Sequence, residues 1–112
     1  MSDSSQPSHG ILRVALTGQL AFQLRKGEEG ISVFDLAALD PALTAEEILA
    51  SFRPGSQPIT RSLADIEAKG LQVVAIEGAE MLPERLRRAH REIRPGPGMS
   101  REQFKRTLRE LE

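Results

Sequence analysis

The hydrophobic and polar positions switch between two periods along the chain. Residues 11–16, Ile-Leu-Arg-Val-Ala-Leu, form an aliphatic run closed by Thr17 and Gly18, which predicts a strand. Leu20, Phe22 and Leu24 alternate with Ala21, Gln23 and Arg25, and this strand-like period predicts a second strand over 19–25. Residues 26–30, Lys-Gly-Glu-Glu-Gly, read as a turn, and residues 31–35, Ile-Ser-Val-Phe-Asp, as a third strand. The period then becomes helical. Thr44 and Glu47 form a capping box ahead of Ile48, Leu49 and Phe52, and Pro54 with Gly55 stops that helix. Residues 60–68 read as another short helix, with Leu63 and Ile66 inward and Gly70 as its stop. Residues 71–76, Leu-Gln-Val-Val-Ala-Ile, give the strongest strand signal, and their near-continuous apolar character predicts a central strand.

Near Pro83, Leu82, Leu86, Ala89 and Ile93 recur at helical spacing. A helix stopping near Ala89 would instead leave 90–94 extended, as a residue before Pro95 prefers. Ser100 and Gln103 form a second capping box and open a final amphipathic helix, with Phe104, Leu108 and Leu111 on one face. Strands interleaved with short helices make an α+β fold. We expect one domain over residues 10–112 behind a polar, disordered tail over 1–9.

Composition narrows the function classes. The chain has 112 residues, enough for one modest core. It has no Cys, which excludes disulfide scaffolds, zinc–thiolate sites and thiol nucleophiles. Two His without metal-ligand spacing suggest no metal centre. Four Phe, no Tyr, no Trp and a net charge of −1 disfavour nucleic acid as a partner. No apolar run approaches the roughly 18 to 20 residues of a membrane span. The first residues carry no signal-peptide h-region, so the expected location is the cytoplasm, of the producing or of a target cell. Charge is uneven: residues 84–112 hold nine Lys or Arg against five Asp or Glu, a net of +4, and residues 1–83 a net of −5. The basic third would suit an acidic partner protein or a phosphate-bearing ligand, or is simply a solvated helix surface.

Four residue positions invite a chemical reading. Arg13 interrupts an apolar strand, and a half-buried guanidinium needs a phosphate, ribose, carbonyl or carboxylate partner. The plain alternatives are an ion pair with Glu77 or Asp35, or a head reaching solvent. Ser32 shares a strand face with Phe34, where a lone serine is often merely tolerated. His90, the one histidine outside the tail, would lie at a helix-to-strand junction and exchange protons near neutral pH, or be a satisfied structural histidine. Glu77 beside Gly78, and Glu92 on the same strand face as His90, are the candidate carboxylates.

Taken in order, Leu12-Arg13, then Gly30-x-Ser32-Val33-Phe34-Asp35, then Arg85-Leu86-x-x-x-His90-x-x-Ile93-x-Pro95-x-x-Met99 resemble the type VI secretion effector-like toxins with an ADP-ribosyltransferase-like fold. The three blocks are colinear over residues 11–111. Two departures stand out: Ile31 replaces the threonine expected beside the motif serine, and little chain separates the first strand from Ser32. The resemblance implies a small split or bent β-sheet flanked by short helices. It implies a bacterial toxin acting in the cytoplasm as an NAD-dependent ADP-ribosyltransferase, with NAD as substrate and an acceptor the sequence does not name. It assigns Arg13, Ser32 and His90 to catalysis and NAD binding. It also implies a cognate immunity protein or antitoxin that restrains the toxin. The alternative is a non-enzymatic interaction module that docks through its C-terminal amphipathic helix.

Overall fold

The computed structural model describes residues 10–40, 42–76 and 82–112. The predicted tail over 1–9 and the candidate Glu77 lie outside the described residues. The fold is α+β: five antiparallel strands in one sheet with short helices. The elements in chain order are β1 Gly10–Leu16, β2 Ile31–Asp35, α1 Ala45–Leu49, β3 Ser56–Ser62, α2 Leu63–Ala68, β4 Gln72–Ala75, α3 Glu84–Arg87, β5 His90–Arg94 and α4 Arg101–Arg109. The sheet order is β3-β1-β2-β5-β4.

Strand alternation sorts the side chains into two cores, one on each face of the sheet. Ile11, Ala15, Ile31, Val33 and Ile93 meet Phe104, Leu108 and Leu111 of the C-terminal segment on one face. Leu12 and Phe34 meet Ile48, Leu86 and Ala89 on the other. Both capping boxes form. Thr44 and Ser100 accept hydrogen bonds from the amides of Glu47 and Gln103, whose side chains return the bond. The caps matter because α1 and α4 are short, and isolated helices of this length do not persist in water. The apolar side of α4 is spent on the core: Phe104 and Leu108 are 2% and 0% exposed, which leaves its basic side outward.

Three expected elements differ. Residues 19–25 form no strand; they cover the first core through Ala21, Phe22 and Leu24, while Leu20 stays exposed. Side chains take the place of a strand ladder there. The Glu112 carboxylate accepts the amides of Ala21 and Phe22 at 2.8 and 2.6 Å, and Arg13 Nε donates to the Ala21 carbonyl at 2.7 Å. Thr60 to Ser62 belong to β3 rather than to a helix, because Ser62 is the N-cap of α2 and accepts from the Asp65 amide. Pro58 in β3 is compatible with a strand because β3 is an edge of the sheet. The strand predicted to be central, β4, is the other edge. Its apolar run reflects partial cover on both faces, with Val73 and Val74 half-buried. Of the two readings of the stretch around Ala89, the extended one holds: α3 ends before His90, and Ile93 points into the core from β5.

The join between β1 and β2 positions the site. β1 pairs with β3 along its whole length, from Gly10 to Leu16. It pairs with β2 only at Ile11↔Asp35 and Leu12↔Phe34. Beyond Leu12 the two strands part, and the sheet forks into a β3–β1 arm and a β2–β5–β4 arm. Arg13 sits at the crotch, where its Nη1 donates to the Ser32 carbonyl at 3.0 Å.

Candidate functional site

β2 and β5 pair with Ser32 opposite Glu92 and Phe34 opposite His90. Cross-strand partners share a face, so Gly30, Ser32, Phe34, His90, Glu92 and Arg94 form one row on the face of Leu12 and Phe34. The row is apolar at Phe34, which packs with Ile48, Leu86 and Ala89, and polar at Ser32, His90, Glu92 and Arg94. Ile31, which takes the place of the expected threonine, points to the opposite core and is 2% exposed.

Within the row, Ser32 Oγ and His90 Nε2 lie 3.1 Å apart in a hydrogen bond. The serine is exposed, whereas the imidazole is buried at 7% exposure and packs its ring against Phe34, with centroids 5.8 Å apart. His90 Nδ1 is buried and has no hydrogen-bond partner among the described residues. Burial pushes the His90 pKa below its ordinary 6.5; Glu92 acts against this shift and Arg91 adds to it. The imidazole is therefore neutral at pH 7, the state that can accept the Ser32 proton. Glu92 lies across from Ser32, but its Oε1 is held by Arg94 Nε at 2.7 Å. Gly30 admits this ion pair: a Cβ there would stand 2.8 Å from Glu92 Oε1 and 2.9 Å from Arg94 Nε.

Arg13 is placed differently from Ser32 and His90. Its side chain leaves β1 on the face of Ile11 and Ala15 and is spent on the Ala21 and Ser32 carbonyls. Burial lowers its pKa, Glu28 opposes that, and Arg25 reinforces it; a guanidinium stays charged regardless. Carbonyls thus fill the role that the sequence offered to a carboxylate, and Asp35 faces Arg91 at 3.6 Å. Ser32 and His90 come together side chain to side chain, and Arg13 reaches Ser32 only through its backbone carbonyl.

No protein family, curated protein or solved structure matches this chain. Among the described residues no three His, Asp or Glu side chains converge as a metal site. No helix there is long and apolar enough to cross a membrane.

The buried neutral histidine has a thermodynamic consequence. The unfolded chain takes up a proton as pH falls through the ordinary value of 6.5, but the folded chain does so only at lower pH. The contribution to stability is complete above that value and is lost as pH falls below it. The denaturation midpoint of the wild type should fall between about pH 7.5 and about pH 5 more steeply than that of His90→Gln. Parallel slopes would show that His90 is not held neutral by the fold.

Proposed function

We propose that the protein is a bacterial toxin acting in the cytoplasm as an NAD-dependent ADP-ribosyltransferase, restrained by a cognate immunity protein or antitoxin. The observation that carries this reading is the Ser32–His90 hydrogen bond on a forked sheet. It joins two residues that come from separate sequence blocks of the resemblance and stand 58 positions apart. The fork adds support, since a split sheet is what the resemblance implies.

The chemistry asks little of the protein beyond positioning and charge. Breaking the bond between nicotinamide and ribose C1′ sends the electron pair to the nicotinamide nitrogen and builds an oxocarbenium-like centre, as in glycoside cleavage. The acceptor's O–H or N–H attacks C1′, and its proton must leave. His90, neutral at pH 7, is the base that takes it, with Nε2 reached through or beside Ser32 Oγ. Ser32 Oγ is exposed and can bond a ribose hydroxyl. Glu92 lies across the strand pair from Ser32 and adds negative potential to the row, attenuated by Arg94.

The test is growth of a bacterial host under controlled expression of wild type, Ser32→Ala and His90→Gln. Wild type should arrest growth. Each variant should restore it, with NAD turnover down roughly a hundred- to ten-thousand-fold and melting temperatures kept close to the wild type. Normal growth with abundant folded wild type, together with no consumption of NAD by the purified protein, would sink the proposal.

A further inference from the structure

The fork holds a second polar feature. A recess of about 200 Å3 opens beside the part of β1 that β2 leaves unpaired, and its charged lining is Arg13, Arg25, Arg53 and Glu28. Three guanidiniums face one carboxylate. Arg53 makes no side-chain hydrogen bond or ion pair among the described residues. Arg25 Nη2 holds only the Gln19 amide oxygen, at 3.1 Å on the surface, a neutral bond that water or a ligand can replace. Glu28 is partly occupied, since its Oε1 accepts the Arg25 amide at 2.8 Å. The excess positive charge of the recess is thus carried by two arginines with uncommitted donors.

We propose that this recess binds a diphosphate group, with Arg25 and Arg53 as its ligands. Two linked phosphates in an ester carry two negative charges, which balance three guanidiniums against one carboxylate. Each phosphate presents paired oxygens to a planar guanidinium fork. The recess is smaller than the roughly 300 to 1,000 Å3 of sites that enclose a whole ligand, so it takes a group and leaves the rest of the molecule outside. Phe52 lines the recess and packs on Phe34 with ring centroids 6.0 Å apart, and Phe34 packs on His90. Arg13, another wall, is bonded to the Ser32 carbonyl. A diphosphate at the fork is therefore linked to the Ser32–His90 row through Phe52 and Phe34 and through the Arg13–Ser32 bond. This deepens the reading of NAD as substrate and rests on it for the identity of the ester. The diphosphate site itself does not.

The experiment is calorimetric titration of the whole chain with inorganic diphosphate, repeated in the presence of NAD. Wild type should bind, more weakly as sodium chloride rises. The variant Arg25→Gln/Arg53→Gln should bind at least about tenfold more weakly at an unchanged melting temperature, because charge-assisted bonds are lost from exposed side chains. Arg53→Glu, a single exposed change, gives the same readout should the double variant fail to fold. Displacement of diphosphate by NAD identifies the ester as a dinucleotide. Binding that depends on both arginines but is untouched by saturating NAD keeps the recess as a site for free or otherwise esterified diphosphate, and removes NAD as the substrate. Absent binding, or equal binding to wild type and to the arginine variants, overturns the recess. Growth arrest relieved by Ser32→Ala would then still stand on its own.

Discussion

Replacing Gly96 by alanine should be the most damaging small substitution in the chain. A Cβ on Gly96 would stand 1.9 Å from the Gly70 carbonyl oxygen, which is backbone and has no side chain to swing aside. Gly96 is buried just beyond β5, and Gly70 is the turn that feeds β4. The close approach lets β5 end against the turn between α2 and β4, with the Gln72 side chain bonded to the Pro95 carbonyl at 2.9 Å. Accommodating a methyl there means moving two backbone segments apart. The expected loss is about 3 kcal/mol, or roughly 10 °C or more in melting temperature. Gly55→Ala is the control. Gly55 has a φ of +89°, and a Cβ there would meet nothing within 4 Å, so only the backbone preference is lost. That loss is about 1 to 2 kcal/mol. Thermal melts that rank the two equally would mean that the Gly70–Gly96 contact has slack.

Arg13→Ala should lower stability by about 2 to 3 kcal/mol in urea unfolding, because it removes a charged donor from two carbonyls at once. One carbonyl belongs to the 19–25 segment that covers the first core, and the other to Ser32 at the fork. Arg13→Lys should recover only part of the loss, since an ammonium does not span two acceptors in the fixed fork of a guanidinium. The consequence for function is specific. In a growth assay, Arg13→Ala should relieve arrest in step with its loss of folded protein, whereas Ser32→Ala should relieve it with the fold intact. An Arg13→Ala variant with wild-type unfolding and no activity would instead return Arg13 to direct contact with substrate.

The charge pattern along the chain takes on a different meaning in the fold. The basic C-terminal third is partly structural: Arg101 donates to the Glu28 and Arg25 carbonyls at 2.7 and 2.9 Å, and Arg85 meets Asp40 at 3.0 Å. The arginines with uncommitted donors at the fork come instead from the first half of the chain. An acidic partner that approached the outward side of α4 would meet Lys105 and Arg109, which line a recess with Leu20, Gln23 and Leu24.

Local pattern was sufficient for the elements whose signals are local. Capping boxes announced α1 and α4, because Thr44 and Ser100 satisfy helix amides three residues away, whatever the rest of the fold does. Alternation announced β1 and β2 and placed Ser32 with Phe34, because the pleat fixes which side chains share a face. The colinear blocks singled out Arg13, Ser32 and His90, of which the last two meet side chain to side chain. Tertiary structure alone decided the remainder. Residues 19–25 alternate like a strand, but they pair with no strand; the Glu112 carboxylate and the Arg13 guanidinium take their backbone groups instead. β4 reads as central but is an edge, because strand order depends on which arms the chain brings together and not on the run itself. Arg25 and Arg53 carry no local signal, and they meet only because β1 and β2 part after Leu12. The histidine's neutral state has the same origin: a sequence states that His90 can titrate, and only the packing of Phe34 and its neighbours takes it out of water.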